Sequence, residues 1–279
     1  MNREQLSAWL HAHFTAHEGN VITKEQAIRL ELAGLRIYDE PLIGVGVAAD
    51  PLFSAFKRDG VIGPWYMGPD EWLPGAQAVV SLFFPFTDEV RKSNAGDPGE
   101  TSAEWLHGRI EGQAFLSGML SDLCRWLCGQ GVGVCAPSID PRFASIGNGK
   151  SRLNDPRIPA GAFGSNWSER HAAFVCGLGT FGLSRGLITK KGIAGRFGSV
   201  IVDCALEPDV RPYTDIYEYC TRCGACVSRC PVHAISLEAG KKHLPCSNYL
   251  DETMQRYAPR YGCGKCQTAV PCQSGIPGR

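Results

Sequence analysis

The chain has 279 residues, and 28 Lys and Arg balance 28 Asp and Glu for a formal net charge of +0. That length is ample for one large buried core or two smaller ones, and the even balance excludes the basic footprint of a nucleic-acid or acidic-membrane binder. No apolar run approaches the ~20 residues needed to span a bilayer, and the N-terminus shows neither a signal-peptide pattern nor twin arginines, so a cytoplasmic protein with no membrane partner is expected.

The opening stretch, "MNREQLSAWLHAHFTAHEGN", reads as an amphipathic helix, with Leu6, Trp9, Leu10 and Phe14 at helical spacing. Trp9, Leu10 and Phe14 leave room for a dimer contact. "TKEQ", from Thr23 to Gln26, has the form of a capping box and predicts a second helix. Residues 41–49 and 76–86 are short, apolar and bounded by turn residues, as buried strands are. Residues 88–99 read as a surface loop. Residues 102–129 carry a long helical pattern closed by Gly129 and Gly131. Cys124 and Cys128 lie one turn apart on it with no further ligand nearby, so they read as core.

Residues 131–137 predict another strand. Residues 138–168 follow without periodicity, and a segment that long inside a domain usually walls or covers a site. Its Lys150, Arg152 and Arg157 read as solvated loop cations, with a phosphate or cofactor tail as the alternative. A helix is expected from Trp167 to about Cys176. Gly177, Gly179 and Gly182 then stand in G-x-G-x-x-G spacing. A dinucleotide site requires a strand before such glycines and a helix after them. Here a helix precedes and the β-like "GLIT" follows, so the glycines mark unshielded backbone able to lie against a large flat ligand. Residues 197–206 predict the last strand, and 207–214 a linker.

Eight of the 13 cysteines fall between Cys220 and Cys272. Clustered thiols in a cytoplasmic chain point to metal. "CTRCGACVSRCP" has the C-x2-C-x2-C-x3-C-P spacing of bacterial ferredoxins, whose fourth cysteine ligates the other cluster of a two-cluster unit. Cys220, Cys223 and Cys226 therefore need a distant fourth ligand, and Cys230 needs three new partners. Downstream lie Cys246, Cys263, Cys266 and Cys272. The crossed assignment gives one [4Fe–4S] cluster to Cys220, Cys223, Cys226 and Cys272, and the other to Cys230, Cys246, Cys263 and Cys266. Zinc is the alternative, and the compact triple with Cys-Pro speaks against it.

From this point the chain resembles the epoxyqueuosine reductase family, which is similar in turn to reductive dehalogenases. The resemblance rests on the CxxCxxCxxxCP run, "CSNYL" (246–250), "GCGKCQ" (262–267), "ERHAAFVCGLGTFGLSRGLIT" (169–189) and "GSVIVD" (198–203). In the N-terminal half, "PLIGVGVAAD" and "PGAQAVVSLFFPF" sit where the family has its first strands. It implies an α/β (α+β) fold: a nitroreductase-like α/β/α sandwich binding a corrinoid over residues 1–212, then a ferredoxin-like two-[4Fe–4S] domain over 213–279. It implies that Gly177, Leu178, Gly179 and Gly182, with Arg196, Gly198 and Ser199, approach a cobalamin. No Asp-x-His-x-x-Gly motif is present, so that cobalamin is expected base-off, without a protein histidine on cobalt. His171 is the nearest histidine and is expected to face the helix surface or to cap a hydrogen bond.

Three departures qualify the resemblance. The family's proton-donating aspartate, six residues before the motif glutamate Glu169, corresponds to Phe163. Asn166, Ser165, Asp140 and Asp155 are the remaining candidates for a catalytic group. The helical-repeat domain that helps those enzymes hold tRNA has no counterpart in these 279 residues, so tRNA is not expected as a partner. The export signal of respiratory dehalogenases is missing too. The leading reading is a cytoplasmic cobalamin-dependent iron–sulfur reductase of a small molecule, served by a low-potential donor such as ferredoxin or flavodoxin. One alternative is an electron-transfer protein that reactivates the corrinoid of a partner protein. Another is a site holding FMN in place of cobalamin.

Overall fold

The computed structural model describes residues 1–147, 158 and 162–278. Helix α1 (Arg3–Ala16) starts at a capping box: Asn2 Oδ1 accepts from the Gln5 amide at 2.9 Å, and Gln5 Oε1 accepts from the Asn2 amide at 3.0 Å. Its Leu6, Leu10 and Phe14 are buried in the chain's own core, and Trp9 stacks on Trp126 at 4.9 Å. The face expected to be free for a dimer contact is thus occupied within the chain. The Thr23–Gln26 capping box also forms, but it closes a single turn. No helix follows, because the Ile28 amide donates to His107 Nε2 at 3.1 Å and residues 30–32 tighten into a 3-10 turn.

Strand β1 (Leu42–Val47) leads through the short helices α2 (Pro51–Ala55) and α3 (Pro69–Trp72) to β2 (Ala78–Pro85). The region read as a loop after β2 contains α4 (Asp88–Ser93), capped by the Thr87 hydroxyl. Ser102 caps α5 (Ala103–Gly129), the longest helix. Then come β3 (Val134–Cys135), β4 (Ser145–Ile146) and β5 (Gly164–Ser165), α6 (Glu169–Val175), the hairpin β6 (Gly179–Phe181) and β7 (Leu187–Thr189), and β8 (Gly195–Val202).

The main sheet has the order β1-β2-β8-β3, and every pairing is antiparallel. All of β2 is buried, which requires cover on both faces. Alternation along the strand sorts its side chains. Val80, Leu82 and Phe84 enter the core under α1 and α5, and Val79 and Phe83 face the side covered by α6. The result is a helix–sheet–helix sandwich. Its edge strand β1 is closed by Asp209, whose amide donates to Val45 O and whose Oδ2 accepts from Val45 N, both at 2.8 Å.

Beyond Asp209 regular structure is sparse. A one-turn helix α7 (Ala225–Ser228), the two-stranded β9 (Ile235–Ser236) and β10 (Gly240–Lys241), and α8 (His243–Tyr257) carry the remainder. Among the described residues no helix is long and apolar enough to cross a membrane.

Candidate functional site

The C-terminal cysteines form two groups. Cys220, Cys223, Cys226 and Cys272 line one cavity together with Gly182, Ile188 and Val270. Cys272 is brought there by its carbonyl, which accepts from the Ile193 amide at 2.9 Å. Cys230 instead turns into an apolar pocket of Leu183, Ala234 and Ile235, with Cys246 and Cys266, and also Cys220 and Cys226, packed against it. Cys263 interacts with Cys266, Cys246 and Cys230. The turn that diverts Cys230 is held by the Ala234 amide, which donates to its Sγ at 3.2 Å.

All eight are free thiols. Burial pushes Cys226 up to about 11 and Cys272 and Cys263 to about 12, and neighbouring thiols add to each shift. Thiols crowded this way are costly to ionise unless a cationic core is shared among them. The two donor sets therefore fit iron–sulfur clusters. Cys223 is exposed and Cys230 is buried, so the first set faces outward and the second lies deeper.

The second set docks on the sandwich through the 262–268 segment. Asn94 Nδ2 donates to Cys263 O at 2.8 Å, Thr101 Oγ1 donates to Gly262 O at 2.8 Å, and the buried Lys265 Nζ donates to Asn94 O at 3.0 Å. Gly264, at φ +68, lies against Trp105 of α5 so closely that a Cβ would fall 2.0 Å from the ring. Gly264→Ala combines a left-handed backbone cost of roughly 1–2 kcal/mol with overpacking of roughly 1–3 kcal/mol. It should lose the second cluster, measured as about half the iron per chain; wild-type iron content would contradict this docking.

Around the junction of α5, α6, β8 and β10 lie several cations, among them Arg170 at the start of α6, which is exposed, with Arg109 nearby. Arg196, at the start of β8, donates to Oε1 of Gln113. Burial, then Arg109, lowers it to about 10. Glu169 points the other way, toward the sheet. Burial raises its carboxyl to about 7, opposed by the hydrogen-bonding groups of Ser199, Ser138 and Trp167 that face it without ideal hydrogen-bond geometry.

The sequence-derived site residues are distributed unevenly around this junction. Arg196 lies at it. Ser199 is buried and accepts from Trp167 Nε1 at 3.0 Å, and Gly198 packs against Leu116 and Leu120 of α5. The glycine run closes on protein instead. A Cβ on Gly177 would meet Val210 O, one on Gly179 would meet Ile188 O at 1.9 Å, and one on Gly182 would lie 3.8 Å from Cys220 Sγ. Leu178 is buried with Phe83 and Phe174. The close approach these glycines allow is thus to the hairpin partner, the linker and the first thiol set.

Among the catalytic candidates, Asn166 is buried and fixes the chain by bonds to Ala144 N and Arg142 O. Ser165 donates to Trp167 O. Asp140 is held at about 2, first by its hydrogen bond with Arg142, so it carries no proton to donate at neutral pH. Asp155, like Lys150, Arg152 and Arg157, lies outside the described residues. Phe163 stacks on His243 at 4.3 Å. His171 bonds to the Ser168 hydroxyl at 2.7 Å and packs between Phe56 and Phe181, and burial lowers it to about 4.

Sandwich and thiol sets together define a class: an α/β domain with a cysteine-rich, ferredoxin-type module docked on it. The 4Fe-4S binding domain family matches residues 213–236. Over part of its length the chain is similar to an epoxyqueuosine reductase. It is 28% identical over 138 residues to the epoxyqueuosine reductase of Staphylococcus aureus (strain NCTC 8325 / PS 47), a match covering 46% of this chain and 35% of that protein. Among solved structures it resembles a selenomethionine-labelled epoxyqueuosine reductase (TM-score 0.55, 17% identity, 99% of this chain and 67% of that one). It also resembles a B12-dependent reductive dehalogenase (TM-score 0.53, 15% identity, 85% and 30%). At these identities the structural likeness establishes the fold.

Proposed function

We propose that the chain is a corrinoid-dependent iron–sulfur reductase, with a sandwich domain over residues 1–212 and a two-cluster module over 213–279. The observation that carries this reading is the set of eight thiols of the 213–279 module, docked on the sandwich beside Trp105, Asn94 and Thr101. The outer set, Cys220, Cys223, Cys226 and Cys272, would hold the cluster reached by an external donor. The inner set, Cys230, Cys246, Cys263 and Cys266, would hold the one facing the sandwich. Clusters in these places supply single electrons over short steps.

A corrinoid at the junction supplies a reduced cobalt, a strong nucleophile and reductant, when bound. The residues that would hold it are Arg196 and those around it on β8 and α6. The two histidines closest in sequence and space are committed elsewhere, His171 to Ser168 and His243 to Arg185 at 2.6 Å. That fits a corrinoid bound without a protein histidine. The related reductive dehalogenase is described as B12-dependent, in line with this choice of cofactor.

Glu169 does not take the role left open at Phe163: its carboxyl is raised to about 7 by burial among Ser138, Ser199 and Trp167, on the sheet side away from the cations. The replacement of the family's aspartate by Phe163 favours a second reading, in which the chain passes electrons to a partner's corrinoid and has no substrate of its own.

One experiment separates these. Chain reconstituted anaerobically with iron and sulfide is incubated with cobalamin, desalted and denatured, and its spectrum is recorded. Retained corrinoid at about one per chain supports the reductase. A retained flavin, or no chromophore beyond the clusters, overturns it. Turnover only on addition of a second corrinoid protein selects the electron-transfer reading.

A further inference from the structure

Helix α1 ends beside α5 with two histidines on one face. His13 lies in its last turn and His17 caps it, and a spacing of four residues sets both rings on the same side. Asp122 of α5 stands opposite them. His13 Nε2 donates to Asp122 Oδ2 at 2.8 Å, and His17 Nε2 lies 3.9 Å from the same oxygen. The metal-binding atoms of the three side chains all fall within 4.8 Å of one another. Donors around a tetrahedral zinc ion, each bound at about 2.0–2.1 Å, stand about 3.4 Å apart. Shifts on the order of 1 Å would therefore close these three atoms on one ion. A simple ion pair accounts for His13 alone, since His17 Nε2 is beyond hydrogen-bond reach of the carboxylate.

Each ligand is positioned by a neighbour. Trp9 stacks on the His13 ring at 4.6 Å, and Phe115 of α5 meets the His17 ring edge-on at 5.0 Å. Arg125 Nη1 donates to Asp122 Oδ1 at 2.7 Å and leaves Oδ2 to the histidines. Gly118 adds room, since a Cβ on it would stand 3.6 Å from His17 Nε2, against the nitrogen that must take the ion. The side chains of His13, His17 and Asp122 are 29%, 23% and 22% exposed, enough for an ion to enter and for water to take a fourth position. One bond opposes binding. The Gly19 amide donates to His17 Nδ1 at 3.0 Å, so Nε2 carries that ring's proton when no ion is bound. For the ion to take Nε2, the proton moves to Nδ1 and the Gly19 amide is released. That amide is exposed, and water can satisfy it.

We propose that His13, His17 and Asp122 form a binding site for a zinc-type divalent ion that ties the end of α1 to α5. The site goes beyond the reductase reading and does not depend on it. Two imidazoles and one carboxylate suit zinc and the later first-row ions, whereas magnesium and calcium take oxygen donors. The set contains no thiol, which separates it chemically from the cluster ligands.

Cluster-loaded chain, whose cluster thiols are occupied, is titrated anaerobically with zinc. A Cys128→Ser background removes an exposed thiol on the same helix α5. About one zinc per chain should bind saturably, and excess magnesium should not compete. Zinc-edge X-ray absorption should show nitrogen and oxygen neighbours at about 2.0 Å, with imidazole scattering and no sulfur at about 2.3 Å. His13→Ala, His17→Ala and Asp122→Ala should each weaken binding about 100-fold or more, a ligand being worth at least as much as an outer partner, with iron content unchanged. No saturable zinc, zinc bound equally by the variants, or sulfur in the absorption shell overturns the proposal. Should a variant lose iron together with zinc, its fold has failed and the wild-type absorption shell decides: two imidazoles support the site and sulfur refutes it.

Discussion

Cys272→Ala should remove the cluster of Cys220, Cys223 and Cys226, far upstream in sequence, and leave the other intact. Cys230→Ala, although it changes a residue within the same short motif, should empty the site of Cys246, Cys263 and Cys266. Each variant should retain about half the iron and sulfide of wild type, from about eight irons per chain to about four. The prediction follows from the crossed assignment of the ligands, with which the lining of one cavity by Cys272 and the first three cysteines agrees. Three thiolates cannot close a four-iron site, and the freed thiols return to the costly buried state described above.

The decisive comparison uses pairs, because residues of one site are not additive while those of separate sites are. Cys220→Ala with Cys272→Ala should lose no more iron than either alone. Cys230→Ala with Cys272→Ala should lose nearly all of it. If Cys220→Ala with Cys230→Ala leaves half the iron, the two belong to one cluster and the crossing is refuted.

The contrast between legible and illegible residues has a physical basis. Close cysteine spacings are dictated by the dimensions of a metal site, so a local pattern carries long-range information. Strand β2 is written as a nearly continuous apolar run because both of its faces are covered. The short helix α4 was hidden because its polar residues 88–93 look like a loop, and only the Thr87 cap announces it. The glycine run misled for a related reason. A glycine reports that something comes close without naming it, and at Gly179 the neighbour is the Ile188 carbonyl.

The cations around the junction could not be read as a group, since Arg109, Arg170, Arg196 and Lys241 share no spacing and come near one another only through tertiary packing. One signal was available. Arg109 follows the buried Trp105 by four residues and precedes the buried Gly112 by three, which places a cation on the inner face of an otherwise apolar helix. Glu169 was visible only as a motif residue. Its unusual property, a buried carboxyl raised to about 7, depends on packing that brings Ser138 and Ser199 from distant parts of the chain beside the neighbouring Trp167.

That property gives Glu169→Gln a signature of its own. The carboxyl titrates near about 7 in the fold, against an ordinary value of 4.5. Below pH 4.5 it is neutral in both the folded and unfolded chain and costs nothing. As pH rises from 4.5 towards 7 the unfolded chain loses its proton and the folded one keeps it. Stability should fall by about 1.4 kcal/mol per pH unit and level off above 7 at a total near 3 kcal/mol. The groups facing the carboxyl do not relieve this. Tyr66 and Cys176 are pushed further toward their neutral forms by burial and by Glu169 itself, and among the described residues no cation pairs with it. Glutamine has the same shape and cannot ionise. Glu169→Gln should therefore match wild type at pH 4 and exceed it by up to about 3 kcal/mol at pH 8, read by anaerobic denaturant unfolding of the cluster-loaded chain. Parallel stability curves for the two proteins would show that the carboxyl is ionised and solvated.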